Sequence, residues 1–574
     1  MARLNEEVEA LLQEYSDLIL LTGGDAYRAR AYEKAARSVG GYHADVGELD
    51  FKGLLEIPGV GKSTAEKITE YLATGRVAAL EKLRAEVPPG VREIMAIPTV
   101  GPRTAVMLHK ELGISSVDEL LDAAKDERLG GLRGLGDRTA ENIVHGIEVM
   151  RQSSGRVLLN VALEQAEEVV AELAGVTGCV RCAYAGSLRR MRETIGDIDV
   201  LAAAEDSAAL MEAVAALPYV ADVLVRGATK TSVRTAKGMQ LDLRVVPPED
   251  WGAAMVYFTG SKAHNIRLRS RAVKAGLKLS EYGLFEVASG EKIASATEEE
   301  VYEALGLPWI PPTLREDRGE IDAALGGELP EPVTEQDIRG DLHVHTDLTD
   351  GLAPLEQMLA AAADRGLGYC AVTDHAPNLA MQRMTDEKML AQRQRVRALD
   401  RHYKGMRVLH GTELNIDPDG GVDWPEDFLA GFDLCVASIH SHFGADRDAQ
   451  TRRLIRACEN PYVHIIGHPT TRLLGRRPAV DADFDAVYAA CARTGTALEI
   501  NASPERLDLG DERIPAARRH GVRFAVNTDA HSTVHLANLR YGIGTAQRGW
   551  LTKDEVINTW PLRRLQSFLR KRRP

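Results

Sequence analysis

The stretch AGSLRRMRETIGDIDV, residues 185–200, decides how the rest of the chain is read. Residues 195–202 are mostly apolar and β-prone, which predicts a strand. Side chains two apart on a strand share a face. Asp197 and Asp199 therefore project together, and Ile198 turns the other way into a core. Two carboxylates held this close repel unless a cation lies between them. Hard divalent ions such as Mg²⁺ accept such oxygens and leave room for substrate phosphates. Just upstream, Gly186-Ser187 offers a backbone amide and a hydroxyl to phosphate oxygens, and Arg189 and Arg190 add positive charge. A lone Asp-x-Asp fits a solvated surface strand; the Gly-Ser element beside it argues for a phosphate site.

Two metals need more than two ligands, so a third carboxylate is expected on a neighbouring strand. MQLDLRVV, residues 239–246, supplies it: Gln240, Asp242 and Arg244 alternate with Leu241, Leu243 and Val245, and Pro247-Pro248 ends the run. Gly186-Ser187, Asp197-x-Asp199 and Asp242 resemble the nucleotidyltransferase palm of the X family of DNA polymerases. YFTGSKAHN, residues 257–265, resembles that family's nucleotide-binding segment. The resemblance implies that Asp197, Asp199 and Asp242 hold Mg²⁺ or Mn²⁺. It places Gly186, Ser187, Arg190, Gly196, Gly260 and Lys262 around an incoming dNTP, with Tyr257 and Phe258 at the sugar and Asn265 at the base. The chain departs from the family's beta enzyme at Gln240, where that enzyme has arginine, and at Lys262, where it has aspartate.

At 574 residues the chain is too long for one core and divides into several domains. Its 44% hydrophobic and 27% charged content is that of an ordinary soluble protein. No apolar run approaches membrane-spanning length, and residues 1–18 have an amphipathic helical pattern, not that of a signal peptide. The six dispersed cysteines fit a reducing cytoplasm, and Cys179-x-x-Cys182 has no second pair to complete a zinc site. A net charge of −14 argues weakly against nucleic acid, but distribution outweighs the sum. Residues 251–280 hold no acidic residue and carry Lys262, Arg267, Arg269, Arg271, Lys274 and Lys278. Such a stripe beside the palm suits a duplex or a triphosphate.

Residues 5–21 and 26–38 read as helices. In LLEIPGVGKSTAEKITEYLATG, residues 54–75, a tight turn holding Gly59 and Gly61 separates two helical patterns. Backbone amides of such a turn can bind a DNA phosphate without reading sequence. The pattern returns at residues 97–108 with Gly101, where Thr99 replaces a glycine, and at 132–143 with Gly134 and Gly136. Three copies are a strong sign of helix-hairpin-helix units. By resemblance to the family motif, Lys67 matches the Schiff-base lysine of a 5′-deoxyribose-phosphate lyase and Tyr32 that site's tyrosine, while Arg28 stands where a lysine is usual. A solvated or phosphate-contacting Lys67 is an equal alternative.

Composition shifts at Arg339: twelve of the 16 histidines lie beyond it. Seven apolar runs each end in a polar cluster: DLHVHTD, CAVTDH, VLHGTEL, CVASIHSH, VHIIGHPT, TALEINA and FAVNTDAH. Strands alternating with helices and carrying polar clusters at their C-termini are the signature of a (β/α) barrel with its site on one rim. This set resembles the polymerase-and-histidinol-phosphatase (PHP) domain, a distorted seven-stranded barrel. The resemblance implies up to three Zn²⁺, Mn²⁺ or Fe²⁺ ions on His343, His345, Asp350, His375, Glu413, His440, His468, Asp529 and His531, and metal-dependent phosphoester hydrolysis. His442 is left over as a substrate contact. Arg472, Arg476 and Arg477 meet substrate phosphate or are simply solvated.

The expected architecture is multidomain α/β. It comprises a helical DNA-binding domain (1–80), helix-hairpin-helix fingers (81–152), a palm (153–250), a thumb (251–318), a linker (319–337) and a PHP barrel (338–574). The expected function is gap-filling DNA synthesis in base-excision repair, with a 3′–5′ exonuclease or abasic-site endonuclease in the barrel. Gapped or primed duplex DNA and dNTPs are the expected partners. A monomer in the cytoplasm, associated with the nucleoid and not with a membrane, is expected. A nucleotidyltransferase acting on RNA ends or small molecules would share the palm, and a DNA-binding scaffold with inactive sites would share the hairpins.

Overall fold

The computed structural model describes residues 4–42, 44–95, 97, 100–126, 128–129, 143–144, 147, 155–379 and 384–571. Near the N-terminus, helices Asn5–Leu21 and Ala26–Gly40 pack together. Next come helices Phe51–Glu56 and Lys62–Thr74 around the first expected turn, and Pro89–Met95 and Pro102–Leu112 around the second. Gly59 lies at φ 83°, in the left-handed region that favours glycine. Gly61 and Gly101 each sit at the N-cap of the following helix. One apolar cluster, from Val8 through Ile68 to Leu108, joins both hairpins. Thr99, Gly134 and Gly136 lie outside the described residues, as does nearly all of the third hairpin.

The palm is a five-stranded sheet in the order Arg181–Tyr184, Asp197–Ala203, Gln240–Val246, Lys230–Thr235, Val220–Arg226. The pairing of Asp197–Ala203 with Gln240–Val246 is parallel, and the other pairs are antiparallel. Period-two alternation sets its two faces. Ile198, Val200 and Ala202 pack on helices Leu159–Ala174 and Ala208–Ala215, while Leu201 packs on helix Trp251–Thr259. Helix Leu159–Ala174 is preceded by a short strand, Val157–Leu158, paired with Thr194–Ile195. The strand Arg181–Tyr184 ends there because Gly186 at φ 59° turns the chain into the short helix Gly186–Arg189.

Helix Lys262–Lys274 and a three-stranded antiparallel sheet begin the thumb. Within residues 319–337, expected as a linker, Glu320–Gly326 is helical, and its Ile321 and Ala324 join the thumb core. Palm and thumb are tied by buried charge. Glu298 accepts from Arg189 Nη1 at 2.9 Å and Nη2 at 2.8 Å, and from Arg315 Nη1 at 2.7 Å. Arg315 is fully buried. Burial opposes the charge of Glu298, but the two arginines outweigh it and hold its pKa near about 2.

The C-terminal barrel has seven parallel strands, each next to its neighbour in sequence: Gly340–Val344, Tyr369–Val372, Arg407–Asn415, Leu434–Ser438, Ile465–Ile466, Ala497–Asn501 and Phe524–Asn527. A parallel bridge from Val344 to Ala530 nearly closes it. No helix among the described residues is long and apolar enough to cross a membrane.

Breaking a buried ion pair from one side strands the other charge, at a cost of about 3–5 kcal/mol. Glu298→Ala should therefore lower the unfolding free energy of the palm and thumb, read from urea titration, by an amount of that order. The carboxylate's own contribution is complete above its ordinary pKa of 4.5 and is lost as the pH falls toward about 2. A Glu298→Ala chain that unfolds like the parent at pH 7 would contradict this.

Candidate active sites

The palm strands place the three aspartates as their sequence spacing implied. Asp199 lies directly opposite Asp242 in the parallel pair, and Asp197 opposite Gln240. Burial, then Asp197 and Asp242, pushes the Asp199 pKa up to about 7. Such crowding of carboxylates favours a bound cation. Asp242 is better compensated: its Oδ2 accepts from Lys230 Nζ at 2.7 Å and its Oδ1 from Gln240 Nε2 at 3.0 Å. Burial opposes its charge, but hydrogen bonds led by Lys230 outweigh it and lower the pKa. Gln240, at the position of a family arginine, thus holds the third aspartate by an amide. Lys230 was not singled out from sequence. Its only signal is its register, two residues from the position facing Asp242 on the adjoining antiparallel strand.

Glycine at 186 is set by close approach, since a Cβ there would meet Asp199 Oδ2 at 2.1 Å. Arg190 donates from Nη1 to the Thr259 carbonyl at 2.5 Å and from Nε to Glu316 at 3.0 Å, so it already faces the 257–265 segment. There Tyr257 meets Phe258 edge-to-face with centroids 5.1 Å apart. Asn265 Nδ2 donates to the Tyr257 carbonyl at 2.7 Å, leaving its Oδ1 without a hydrogen-bond partner. Lys262 is exposed at the start of its helix, Ser187 and Gly196 are half-buried, and Gly260 is buried.

At the barrel rim, eight of the nine expected ligands fall into three groupings whose donor atoms lie within 4.8 Å of one another. These are His345, Asp350, His375 and His531; His343, His345 and Asp529; and His375, Glu413 and His440. Glu413 is their hub. Its Oε2 lies 3.0 Å from His375 Nδ1 and 3.4 Å from His343 Nε2, and its Oε1 lies 3.1 Å from His440 Nε2. The ninth, His468, falls outside the three groupings and meets Glu413 Oε1 at 3.1 Å through Nε2. Buried ring nitrogens of His343, His345, His375 and His468 have no hydrogen-bond partner. Polar atoms that buried and that close to carboxylates need a partner. Imidazole and carboxylate together suit transition metals, so the residues present fit the implied ions.

The orienting groups around this centre escaped sequence reading. Glu499, fully buried, takes His343 Nδ1 at 2.7 Å and the His468 amide at 2.7 Å. Asn415 Oδ1 lies 2.7 Å from His440 Nδ1. Asp374 fixes the Asp350 loop by accepting from Thr346 and Thr349. The centre opens into a cavity of about 4090 Å³, where Asp350, Asp529 and His531 meet Phe443, Arg477 and Arg506. Arg506 Nη1 is buried without a hydrogen-bond partner, and Arg477 lies over the Phe443 ring at 4.0 Å. Of the other candidates, Arg472 is engaged by Glu193 at 2.7 Å, Arg476 pairs with Glu505 at 3.2 Å, and His442 is exposed on the rim. A further acidic grouping, Glu193, Asp511 and Glu512, is met by Arg472 and Arg548 as a salt-bridge cluster.

In the N-terminal region, Lys67 Nζ lies 5.2 Å from the Tyr15 ring centroid and 5.3 Å from that of Tyr32, and donates to Ser63 Oγ at 3.1 Å. Arg28 donates to Tyr15 Oη at 3.0 Å. All six cysteines are free thiols, so Cys179 and Cys182 form no disulfide.

Comparison with known proteins gives concordant matches. Family models match as a helix-hairpin-helix domain over residues 3–77, a SAM-like helix-hairpin-helix tandem over 91–148, a DNA polymerase beta thumb over 254–316 and a PHP domain over 341–503. The chain is 34% identical over 569 residues to the DNA polymerase/3′–5′ exonuclease PolX of Bacillus subtilis, covering 99% of each chain. It is 27% identical over 342 residues to rat DNA polymerase lambda, covering 54% of this chain and 56% of that one. The C-terminal part is 32% identical over 231 residues to a probable phosphatase of Syntrophotalea carbinolica, covering 38% of this chain and 90% of that protein.

Groups that orient metal-binding histidines typically contribute about 10–100-fold in metal affinity. Glu499→Ala should weaken binding of Mn²⁺ or Zn²⁺ to the barrel by that factor in competition titrations with a chelator. His442→Ala should leave it unchanged. Equal behaviour of the two variants would remove Glu499 from the metal centre.

Proposed function

This chain belongs to the X family of DNA polymerases that carry a C-terminal PHP domain, and from that premise we propose that it fills short DNA gaps through its palm and trims 3′ ends or cuts abasic sites through its barrel. The observation that carries the reading is the carboxylate cluster of the palm, with Asp199 opposite Asp242 and the Gly186 backbone against Asp199. Asp197, Asp199 and Asp242 would hold two Mg²⁺ or Mn²⁺ ions. When bound, such ions supply positive charge that lowers the pKa of a primer 3′-hydroxyl and stabilises leaving pyrophosphate. Lys230 and Gln240 keep Asp242 ionised and aimed. Arg190 and Ser187 meet the triphosphate, Tyr257 and Phe258 flank the sugar, and Asn265 meets the base. Gly59, Gly61 and Gly101 leave room for duplex phosphates at the two described hairpins, an affinity that reads no sequence.

In the barrel, the nine rim residues would hold up to three Zn²⁺, Mn²⁺ or Fe²⁺ ions. Arg506 is suited to the scissile phosphate: its Nη1 is buried without a hydrogen-bond partner at the cavity wall, beside Asp529. Phe443, braced by Arg477, offers a face on which a terminal base can stack. A small-molecule nucleotidyltransferase would have no use for the tandem hairpins.

A 5′-labelled gapped duplex, with and without dNTPs, tests both reactions in one tube. Asp199→Ala should abolish extension and leave shortening intact, because most DNA affinity resides elsewhere. His343→Ala should do the reverse. Loss of both reactions in either variant, with folding unchanged, would refute the division of labour. Lys67, held over two tyrosine rings, is read as a lyase nucleophile. Lys67→Ala should lose borohydride trapping to a 5′-deoxyribose-phosphate end, and trapping equal to the parent's would refute that role.

A further inference from the structure

One arginine of the barrel reaches the palm. Arg548 ends helix Leu539–Arg548, whose Leu539, Ile543 and Ala546 pack in the barrel core. Its guanidinium is 2% exposed. Nη1 donates to the Arg190 carbonyl at 2.8 Å and to Glu316 Oε1 at 2.8 Å, and Nη2 donates to Asp511 Oδ2 at 2.9 Å. Glu316 Oε1 also accepts from Arg190 Nε at 3.0 Å. One thumb carboxylate is therefore shared between a palm arginine and a barrel arginine. Asp511 is balanced separately by Arg318 at 2.8 Å, and Arg192 stands at 4.0 Å from Glu316 Oε2, partly exposed.

Charge decides what this arrangement does. A carboxylate bound to one arginine cancels it, whereas a carboxylate held between two leaves one positive charge over. Burial opposes the charge of Glu316, but Arg548 and Arg190 outweigh it, so the residue is ionised. With Arg548 in place, the trio Arg190–Glu316–Arg548 keeps one net positive charge beside Gly186-Ser187. Without it, Glu316 neutralises Arg190 and loses the brace on the Arg190 carbonyl.

We propose that Arg548 is a positioning residue for nucleotide addition: it takes up the Glu316 carboxylate so that Arg190 keeps its charge and its aim for the phosphates of the incoming dNTP. The barrel would thus assist the palm through a side chain and not through its metals. The inference rests on the reading of Arg190 as a triphosphate ligand.

The test is single-nucleotide gap filling by the full chain across a dNTP titration. Arg548→Gln should raise the KM for dNTP about tenfold, the size of one charge-assisted hydrogen bond. Its kcat should change less, and shortening without nucleotides should stay within about twofold of the parent. Arg548→Lys, which keeps the charge but not the fork, should raise KM less. Adding Glu316→Gln to Arg548→Gln should bring KM back toward the parent, because the neutralising carboxylate is gone; a merely structural role predicts no such rescue. An unchanged KM in Arg548→Gln, or a defect that Glu316→Gln leaves in place, overturns the proposal. Should Arg548→Gln lose its nuclease as well, Arg548→Lys decides, and an unchanged KM there overturns it equally. If Arg190→Ala itself leaves KM unaltered, the reading of Arg190 has failed before the role of Arg548 is reached.

Discussion

Like charge held at close quarters is the constraint on which this molecule is built. Asp199 and Asp242 face each other across a parallel strand pair, where no backbone adjustment separates them. Everything nearby answers that repulsion. Lys230 and Gln240 take the two oxygens of Asp242, the Gly186 backbone closes on Asp199 where a side chain would collide, and a divalent ion would complete the balance. The antiparallel partner strand exists in part to bring Lys230 there, so the sheet order and the chemistry are one requirement.

The barrel solves the same problem with different donors. Glu413 is surrounded by imidazoles, which offset the cost of burying its charge. Its pKa stays well below the usual range: burial opposes its charge, and His440, His375 and His343 outweigh it. The hard, oxygen-only palm and the imidazole-rich barrel can therefore select different ions within one chain.

Much of this was legible in the sequence, and the boundary between legible and hidden is physical. Asp197, Asp199 and Asp242 sit on strands whose alternation is visible in the letters, and the histidine clusters end apolar runs. Those are local patterns. Glu499, Lys230, Arg506 and Arg548 are missing from that reading because their roles depend on what they meet. His343 and Glu499 are 156 residues apart, and Arg190 and Arg548 are 358 apart. A glutamate in an apolar strand has no distinguishing mark until the barrel closes around it. Residues 319–337, read as a linker, include the helix Glu320–Gly326, whose Ile321 and Ala324 reach the thumb core only through tertiary packing that no local pattern shows.

The strand order of the barrel has a consequence for how the protein comes into being. Each strand pairs with its neighbour in sequence, so most of the sheet can form as the ribosome delivers it, with short loop-closure at every step. The exception is the seam between Val344 and Ala530, the first strand and the stretch after the last. His343 and His345 lie on one side of that seam, Asp529 and His531 on the other. This cluster of histidines and carboxylates therefore stays open until nearly the whole chain has been made, and any ions it captured would act as the latch that joins its two ends.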